Sequence, residues 1–118
     1  MSEIGLTGNR AIYEQVGTNY NMASGNSTFQ VGDNISTFTH ISIQYVWASA
    51  TGTVDGTLEM QSSNDGTNWD TELTHTMSGA NASTMHLHAE WGSRYVRAKL
   101  TVNNITGGTL NVHFAGKD

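Results

Sequence analysis

Hydrophobic and polar residues alternate along several short stretches of this chain. Residues 41–47 alternate Ile, Ile, Tyr and Trp with Ser, Gln and Val, and residues 96–102 alternate Val, Ala, Leu and Val with Arg, Lys and Thr. A period of two is typical of a β-strand with one buried and one wet face. No window of twelve or more residues shows the period near 3.6 of an amphipathic helix. The pattern therefore predicts an all-β protein.

Eight strands are predicted, separated by turns rich in glycine and asparagine. The best-marked turn is Asn64-Asp65-Gly66, because Asp-Gly between two alternating runs tolerates the positive φ of a tight hairpin. Eight short strands at this spacing predict an antiparallel, jelly-roll-like β-sandwich, and a closed up-and-down barrel is the alternative. The predicted strands are residues 10–16, 27–31, 38–48, 57–63, 69–75, 83–89, 95–102 and 109–115.

The first part of the chain offers little to pack. Apart from Tyr13 and Val16, residues 1–25 carry few side chains suited to a core. We therefore expect residues 1–25 to form an N-terminal arm or loosely packed segment that includes the first strand, and residues 26–118 to form the β-sandwich domain. The arm is expected to order against a neighbouring molecule, so that its removal would leave the sandwich folded.

The aromatic residues divide into expected core residues and candidate sugar contacts. Tyr45 and Trp47 share a strand face with two isoleucines, and Trp69 follows a tight turn, so all three are expected in the core. Trp91 and Tyr20 fall in predicted loops and are the aromatic residues expected outside. A sugar-binding role would therefore rest on Trp91 and Tyr20.

Composition and charge narrow the possible partners. The chain has 118 residues, 36% of them hydrophobic and 13% charged, with a net charge of -5. An acidic chain with few clustered cations argues against nucleic acid, and no stretch approaches the ~20 apolar residues that span a membrane. The absence of cysteine excludes disulfides and thiolate chemistry. The first residues lack the basic and apolar regions of a signal peptide, so we do not expect secretion by that route.

His86 and His88 lie two residues apart, so on a strand they point to the same face. Two imidazoles would supply part of the three or four ligands that a transition metal takes. A further ligand would have to converge from another part of the chain: His40, His75, His113 or Glu90. The preferred alternative places Met85, Leu87 and Ala89 in the core and both histidines on the polar face, so no metal site is predicted.

No catalytic constellation stands out. Asp55, Asp65 and Asp70 lie in or beside turns, but the spacing of a calcium-binding loop is absent. Glycoside hydrolysis needs two carboxylates across a cleft, and the sequence does not distinguish any one pair of its acidic residues for this role. No nucleophile elbow and no phosphate-binding loop is present. We therefore predict a protein that is not an enzyme and has no cofactor.

A small cluster of cations is the remaining charged feature. Arg94, Arg97 and Lys99 lie close together on one predicted strand. Such a group could meet an acidic patch of a neighbouring protein, which favours correct docking more than tight binding. With His86 and His88 on another polar face, these five residues are the candidate interface residues.

Three sequence segments carry a family resemblance. They are Gly-Thr-Leu-Glu-Met-Gln-Ser-Ser-Asn-Asp-Gly-Thr-Asn-Trp at 56–69, Arg-Tyr-Val-Arg-Ala-Lys-Leu at 94–100 and Gly-Gly-Thr-Leu-Asn-Val at 107–112. Together they resemble a β-sandwich domain that recurs in the virion proteins of tailed phages. The arrangement is also similar to the discoidin-type sandwich, which binds sugars and lipid head groups. Discoidin-type domains usually carry a disulfide and are longer than this chain.

The resemblance implies a non-enzymatic phage structural protein. The first hypothesis is an auxiliary capsid protein (a decoration, cement or vertex protein) that forms a homo-oligomer, binds other virion proteins and is assembled in the host cytoplasm. A tail or fibre component is the nearest alternative. A discoidin-type carbohydrate-binding module is the alternative from a different class. A small metal-dependent enzyme that uses His86 and His88 is the third.

Overall fold

The computed structural model describes residues 11–32 and 34–118, and it arranges their eight strands as two packed antiparallel sheets. Sheet A has the order β1-β8-β3-β6 and sheet B the order β2-β7-β4-β5. Sheet A contains β1 (Ala11–Asn21), β8 (Asn104–Lys117), β3 (His40–Thr53) and β6 (Ala82–His88). Sheet B contains β2 (Ser27–Gln30), β7 (Tyr95–Thr101), β4 (Thr57–Ser63) and β5 (Asp70–Thr76), and a short 3-10 turn spans Met22–Ser24.

The strand order is that of a jelly roll. The chain pairs β1 with β8, β2 with β7, β3 with β6 and β4 with β5, as a long antiparallel hairpin does when it is wrapped over two sheets. The predicted β-sandwich is therefore confirmed. The central strands β3 and β8 are the longest, at 14 residues each, and they hold sheet A together along its whole length.

The core lies between the sheets and is filled by alternate residues of both. Tyr45 and Trp47 of β3 are buried there, as their alternation with polar residues predicts. The largest fully buried side chains include Tyr45, Phe114, Met22, Ile43, Leu58, Met60, Leu100 and Leu110. Each strand contributes its outward residues to one of two outer faces, and these faces are the surfaces open to a partner.

Residues 11–25 belong to the sandwich. β1 pairs with β8 from Ala11 to Asn21, and the side chain of Met22 is fully buried in the core. This corrects the expected division at residue 26, because the register of β1 shifts near Gly17 and the shift interrupts the alternation by which a strand is recognised. The remainder of the expected arm, residues 1–10, lies outside the described residues.

Two tryptophans occupy places opposite to those expected. Trp91 is buried and only 5% exposed, whereas Trp69 is half-buried on the outer face of sheet B. Trp69 directly precedes β5, whose pairing with β4 shifts register between Met60 and Gln61. A shift of one residue sends the following side chains to the other face of a strand, so the expected core position of Trp69 is wrong.

The facing of β6 is also opposite to the expectation. His86 lies directly across from Ile43 of β3, and Leu87 lies across from Ser42. Directly paired residues share a face, and Ile43 faces the core, so His86 points inward and Leu87 points outward. The reason that a histidine is tolerated inside is a hydrogen bond to the buried hydroxyl of Tyr45.

Two glycines allow the bulged ends of β3 and β8 to approach each other. Gly52 has φ +82° and Gly108 has φ +112°, both in the region that side chains rarely adopt. A Cβ at Gly108 would meet the Cα of Ala50 at 2.7 Å, and one at Gly52 would collide with the carbonyl oxygen of Asn104. Both positions therefore require glycine.

Candidate docking surface

Three large apolar side chains stand exposed on the outer face of sheet A. Tyr13 of β1 is 81% exposed, Leu87 of β6 is 69% exposed and Met85 of β6 is 47% exposed. These are the exposed large hydrophobic residues among the described residues. An apolar cluster on one face of a small protein is a common mark of an interaction site.

The register of sheet A arranges this face as a groove. Tyr13, Ala115, Ser42 and Leu87 stand in one line across β1, β8, β3 and β6. Four adjacent strands span three inter-strand spacings, about 14 Å. Large side chains stand at both ends of the line and small ones lie between them. The result is a groove of about 420 Å³ that follows β8 and β3.

A second line of residues continues the groove and is polar but uncharged. It consists of Gln15, His113, Gln44 and Met85, and together the two lines contain no carboxylate, ammonium or guanidinium group. The side chains of Ser42, Gln44 and His113 form no hydrogen bond with the described part of the chain. The groove thus combines apolar walls with unpaired polar groups on its floor, and His40, His88 and Lys117 also line it. Such a surface suits a protein segment with apolar and polar side chains.

The outer face of sheet B has the opposite character. The guanidinium of Arg97 stacks 4.3 Å from the centre of the Trp69 ring, and its Nε donates to Oε1 of Gln61 at 2.7 Å. Gln61 Nε2 donates to Oγ1 of Thr71 at 3.1 Å, and this hydroxyl donates to Oε1 of Glu59 at 2.6 Å. The polar groups here satisfy one another, so this face needs a partner less than sheet A does.

The candidate interface cations lie on or beside this outer face. Arg97 and Lys99 of β7 point outward together, and Lys99 lies across from Glu59 of β4. Arg94 precedes the strand and donates through Nη2 to the hydroxyl of Tyr95 at 3.2 Å. The structure thus brings the three cations to one side of the molecule, and their role in an interface stays a prediction.

The two candidate interface histidines do not share a solvent-exposed polar face. His86 is only 8% exposed, and its Nδ1 lies 2.9 Å from the Tyr45 hydroxyl. His88 points to the same side, with Nε2 3.7 Å from Oε1 of Glu72 and its ring edge-on to Trp91. The expectation that both histidines face a partner is therefore wrong for His86, because the register with β3 turns it inward.

Burial determines the protonation of the Tyr45–His86 pair. Burial, and then the negative charge of Glu59, raises the pKa of the Tyr45 hydroxyl, so Tyr45 stays protonated. Burial, and then the neighbouring His75, lowers the pKa of His86. A neutral His86 can use Nδ1 to accept the hydrogen bond that the Tyr45 hydroxyl donates.

The lowered pKa of His86 predicts a loss of stability in acid. The unfolded histidine titrates near 6.5, so below that pH the unfolded chain binds a proton that the folded chain resists. The free energy of unfolding should fall as the pH drops from 7 to 5, as measured by urea unfolding at each pH. His86→Gln keeps a hydrogen-bonding side chain without the titration, and the fall should become smaller in this variant. An equal fall in both chains would assign the pH dependence to other groups.

The residues proposed as sugar contacts are occupied within the protein. The Trp91 ring is buried, and its Nε1 donates to the carbonyl of Ser93 at 2.9 Å. Tyr20 is half-buried, donates through its hydroxyl to the carbonyl of Gly25 at 2.5 Å and packs edge-on against Phe29. The expected loop position is wrong for Tyr20, which lies in β1. Trp91 does lie in the loop between β6 and β7, but its side chain turns into the core instead of facing out. Neither ring is presented as a platform.

Candidate metal ligands do not converge. Among residues 11–32 and 34–118, no group of three histidine, aspartate or glutamate side chains is placed to hold a metal ion. Asp65 serves the hairpin turn instead, since it accepts hydrogen bonds from the backbone of Thr67 and Asn68 and from the hydroxyl of Ser63. These bonds, led by those from Asn68, hold the pKa of Asp65 well below its usual range.

Within the described part of the chain, no helix has the length and apolar character needed to cross a membrane. The fold and the groove together define the chain as a jelly-roll β-sandwich with a candidate protein-docking face. No protein-family model matches the chain, and no curated protein matches it.

Solved structures with the same fold include proteins of Bacillus appendages and of prophages. A structure of Bacillus endospore appendages, described as disulfide-linked pili, has a TM-score of 0.61 at 15% identity over 92% of this chain and 88% of that one. The SPBc2 prophage-derived protein YomS has a TM-score of 0.61 at 9% identity over 98% of this chain and 99% of that one. The PBSX exported protein XepA has a TM-score of 0.61 at 17% identity over 89% of this chain and 36% of that one.

These likenesses establish the fold and no more. All three identities are 17% or lower, and this chain corresponds to about a third of XepA. YomS is described as prophage-derived and XepA as an exported protein of PBSX. The similarity to discoidin-type domains is not confirmed.

Proposed function

We propose that this chain is a non-enzymatic structural protein of a phage virion that acts by docking onto another protein through the groove on sheet A. One observation carries the proposal. The exposed apolar side chains of Tyr13 and Leu87 form the two walls of the groove, and the small residues Ala115 and Ser42 lie between them. A soluble protein exposes such a surface at a cost in solubility unless a partner covers it.

The chemistry of the groove also argues against catalysis as its purpose. The two lines of residues on its floor contain no acid or base pair; their polar groups are a hydroxyl, two amides and an imidazole on three strands. His40, His88 and Lys117 also line the groove. These groups can pair with the backbone or amides of a bound protein segment. The likeness in fold to the prophage-derived protein YomS supports a virion as the setting.

The particular role that we propose is that of an auxiliary capsid protein assembled in the host cytoplasm, with a tail or fibre component as the alternative. In either role the sandwich adds a rigid block to a larger shell or tube. A rigid jelly roll with one free face suits such a role, because binding costs little conformational entropy when the docking face is already formed.

The proposal is tested on particles purified from the phage or host that encodes the chain. The chain should copurify with intact particles through a density gradient, at a copy number comparable to that of a major virion protein by quantitative mass spectrometry. Tyr13→Asp places a charge on one wall of the groove, and it should reduce the amount on particles at least tenfold while the free protein stays folded.

Thr28→Asp provides a matched control for Tyr13→Asp. Thr28 is exposed on the outer face of sheet B, across from Lys99, so the same new charge is placed away from the groove. It should leave the particle content unchanged. A chain that is absent from purified particles contradicts the virion proposal, and a Tyr13→Asp chain that is retained contradicts the assignment of the groove.

A further inference from the structure

The four edge strands of the two sheets differ in how well they are protected from pairing with another strand. A free strand edge presents unpaired N–H and C=O groups, and natural proteins protect it with charges, bulges or short length. β1 shifts register twice in its pairing with β8, and β2 is only four residues long. β5 carries Asp70 and Glu72, and the register of its pairing with β4 shifts once.

β6 lacks all of these protections. It runs for seven residues, Ala-Ser-Thr-Met-His-Leu-His, without proline, lysine, arginine or a carboxylate. Its register with β3 is continuous from Ala82 to His88. Within the described residues it pairs only with β3, so its other edge is open. It also carries Met85 and Leu87, two of the three exposed large apolar side chains.

We propose that β6 is a strand-pairing site and that its partner is β6 of a second copy of this chain. Antiparallel pairing of the two edges about a two-fold axis would join two A sheets into one eight-stranded sheet. The same uncharged strand meets itself, so no like charges are brought together although each chain carries a net charge of -5. The pairing would form in solution whether or not the chain is part of a virion.

The register of this pairing follows from the strand itself. Met85 is the central residue of β6, so an axis through Met85 pairs all seven residues, with Ala82 across from His88 at each end. On the outer face, Met85 stands beside its own copy and Leu87 beside Ser83. The exposed methionine and leucine of each chain then form one apolar strip across the new seam, which covers part of their surface.

Disulfide trapping tests the register, since the natural chain has no cysteine. Residues directly across an antiparallel pair have Cα atoms about 4.5–5.5 Å apart, a separation that a disulfide can bridge. Met85→Cys should therefore cross-link into a dimer under mild oxidation, as read on a non-reducing gel. Ser83→Cys alone should not, because the two copies of that residue lie about 13 Å apart. A mixture of Ser83→Cys and Leu87→Cys chains should cross-link.

Thr76→Cys on the exposed edge of β5 is the control for random collision, and light scattering of the unmodified chain gives an independent reading. A dimer has twice the 12.7 kDa mass of one chain, and Met85→Lys should return it to the mass of one chain while the chain stays folded. Cross-linking of Met85→Cys no faster than that of Thr76→Cys would overturn the proposal. An unmodified chain with the mass of a monomer at every concentration would overturn it too.

Discussion

Trp91→Ala should lower the free energy of unfolding by about 3–5 kcal/mol, the range for removing a large aromatic ring from a core. The Trp91 ring lies within the core, edge-on to His88, and its Nε1 donates to the carbonyl of Ser93. Its backbone N–H also donates to the carbonyl of Thr39, so the residue joins the end of β6 to the segment that enters β3. Truncation leaves a cavity and an unpaired carbonyl.

Trp69→Ala removes the same ring from the outer face of sheet B and serves as the matched control. This variant loses a partly buried ring and the stacking of the Arg97 guanidinium on it. The stacking contributes about 0.5–1 kcal/mol at an exposed site. We expect a total loss of about 1–2 kcal/mol. Urea unfolding followed by circular dichroism measures both changes. Equal losses for the two variants would contradict the core that the structure defines.

The interchange of Trp69 and Trp91 shows where reading the sequence fails. The alternation is regular in β7 and in the middle of β3 and β8, and the predicted ends of β3, β4, β7 and β8 agree with the observed ones to within five residues. A bulge shifts the alternation of inward and outward residues by one position. Such a shift occurs in the pairing of β4 with β5, between Met60 and Gln61. Alternation along one strand carries no information about a shift that depends on its neighbour.

The facing of β6 could not be predicted for a related reason. Both of its faces carry residues that tolerate either environment, with methionine and leucine on one and histidines on the other. The decision rests on Tyr45, 41 residues earlier in the chain, which offers a buried hydroxyl to His86. A hydrogen bond between distant residues compensates for the burial of an imidazole, whereas Leu87 loses little by facing a groove.

The sequence does not predict the candidate docking surface, because that surface depends on the facing of β6. The sequence predicts a strand at Tyr13 but does not show which strand it pairs with, and it places Leu87 in the core, whereas Leu87 is 69% exposed. Ser42 on β3 does indicate the facing of Leu87, because a residue directly across from Ser42 shares its polar, outward face. Once β3 is known to pair with β6, this rule alone places Leu87 outside.

Removal of residues 1–25 should abolish cooperative folding, contrary to the expectation from sequence that the sandwich would survive it. The truncation deletes β1 and with it one of the four strands of sheet A, which leaves the edge of β8 unpaired. It also removes the fully buried Met22, whose burial alone is worth about 1.5–3 kcal/mol.

Further losses come from Ile12 and Val16, which pack against the core, and from Tyr20, which contacts Phe29 edge-on. Their sum is comparable to the whole stability of a small domain, about 5–15 kcal/mol. A chain of residues 26–118 should therefore show no sigmoidal transition in heat or urea. A chain that begins at Ala11 keeps every described strand and should show one. A cooperative transition for residues 26–118 would mean that β1 is an accessory strand, and it would move the docking groove, whose wall includes Tyr13, out of the stable part of the fold.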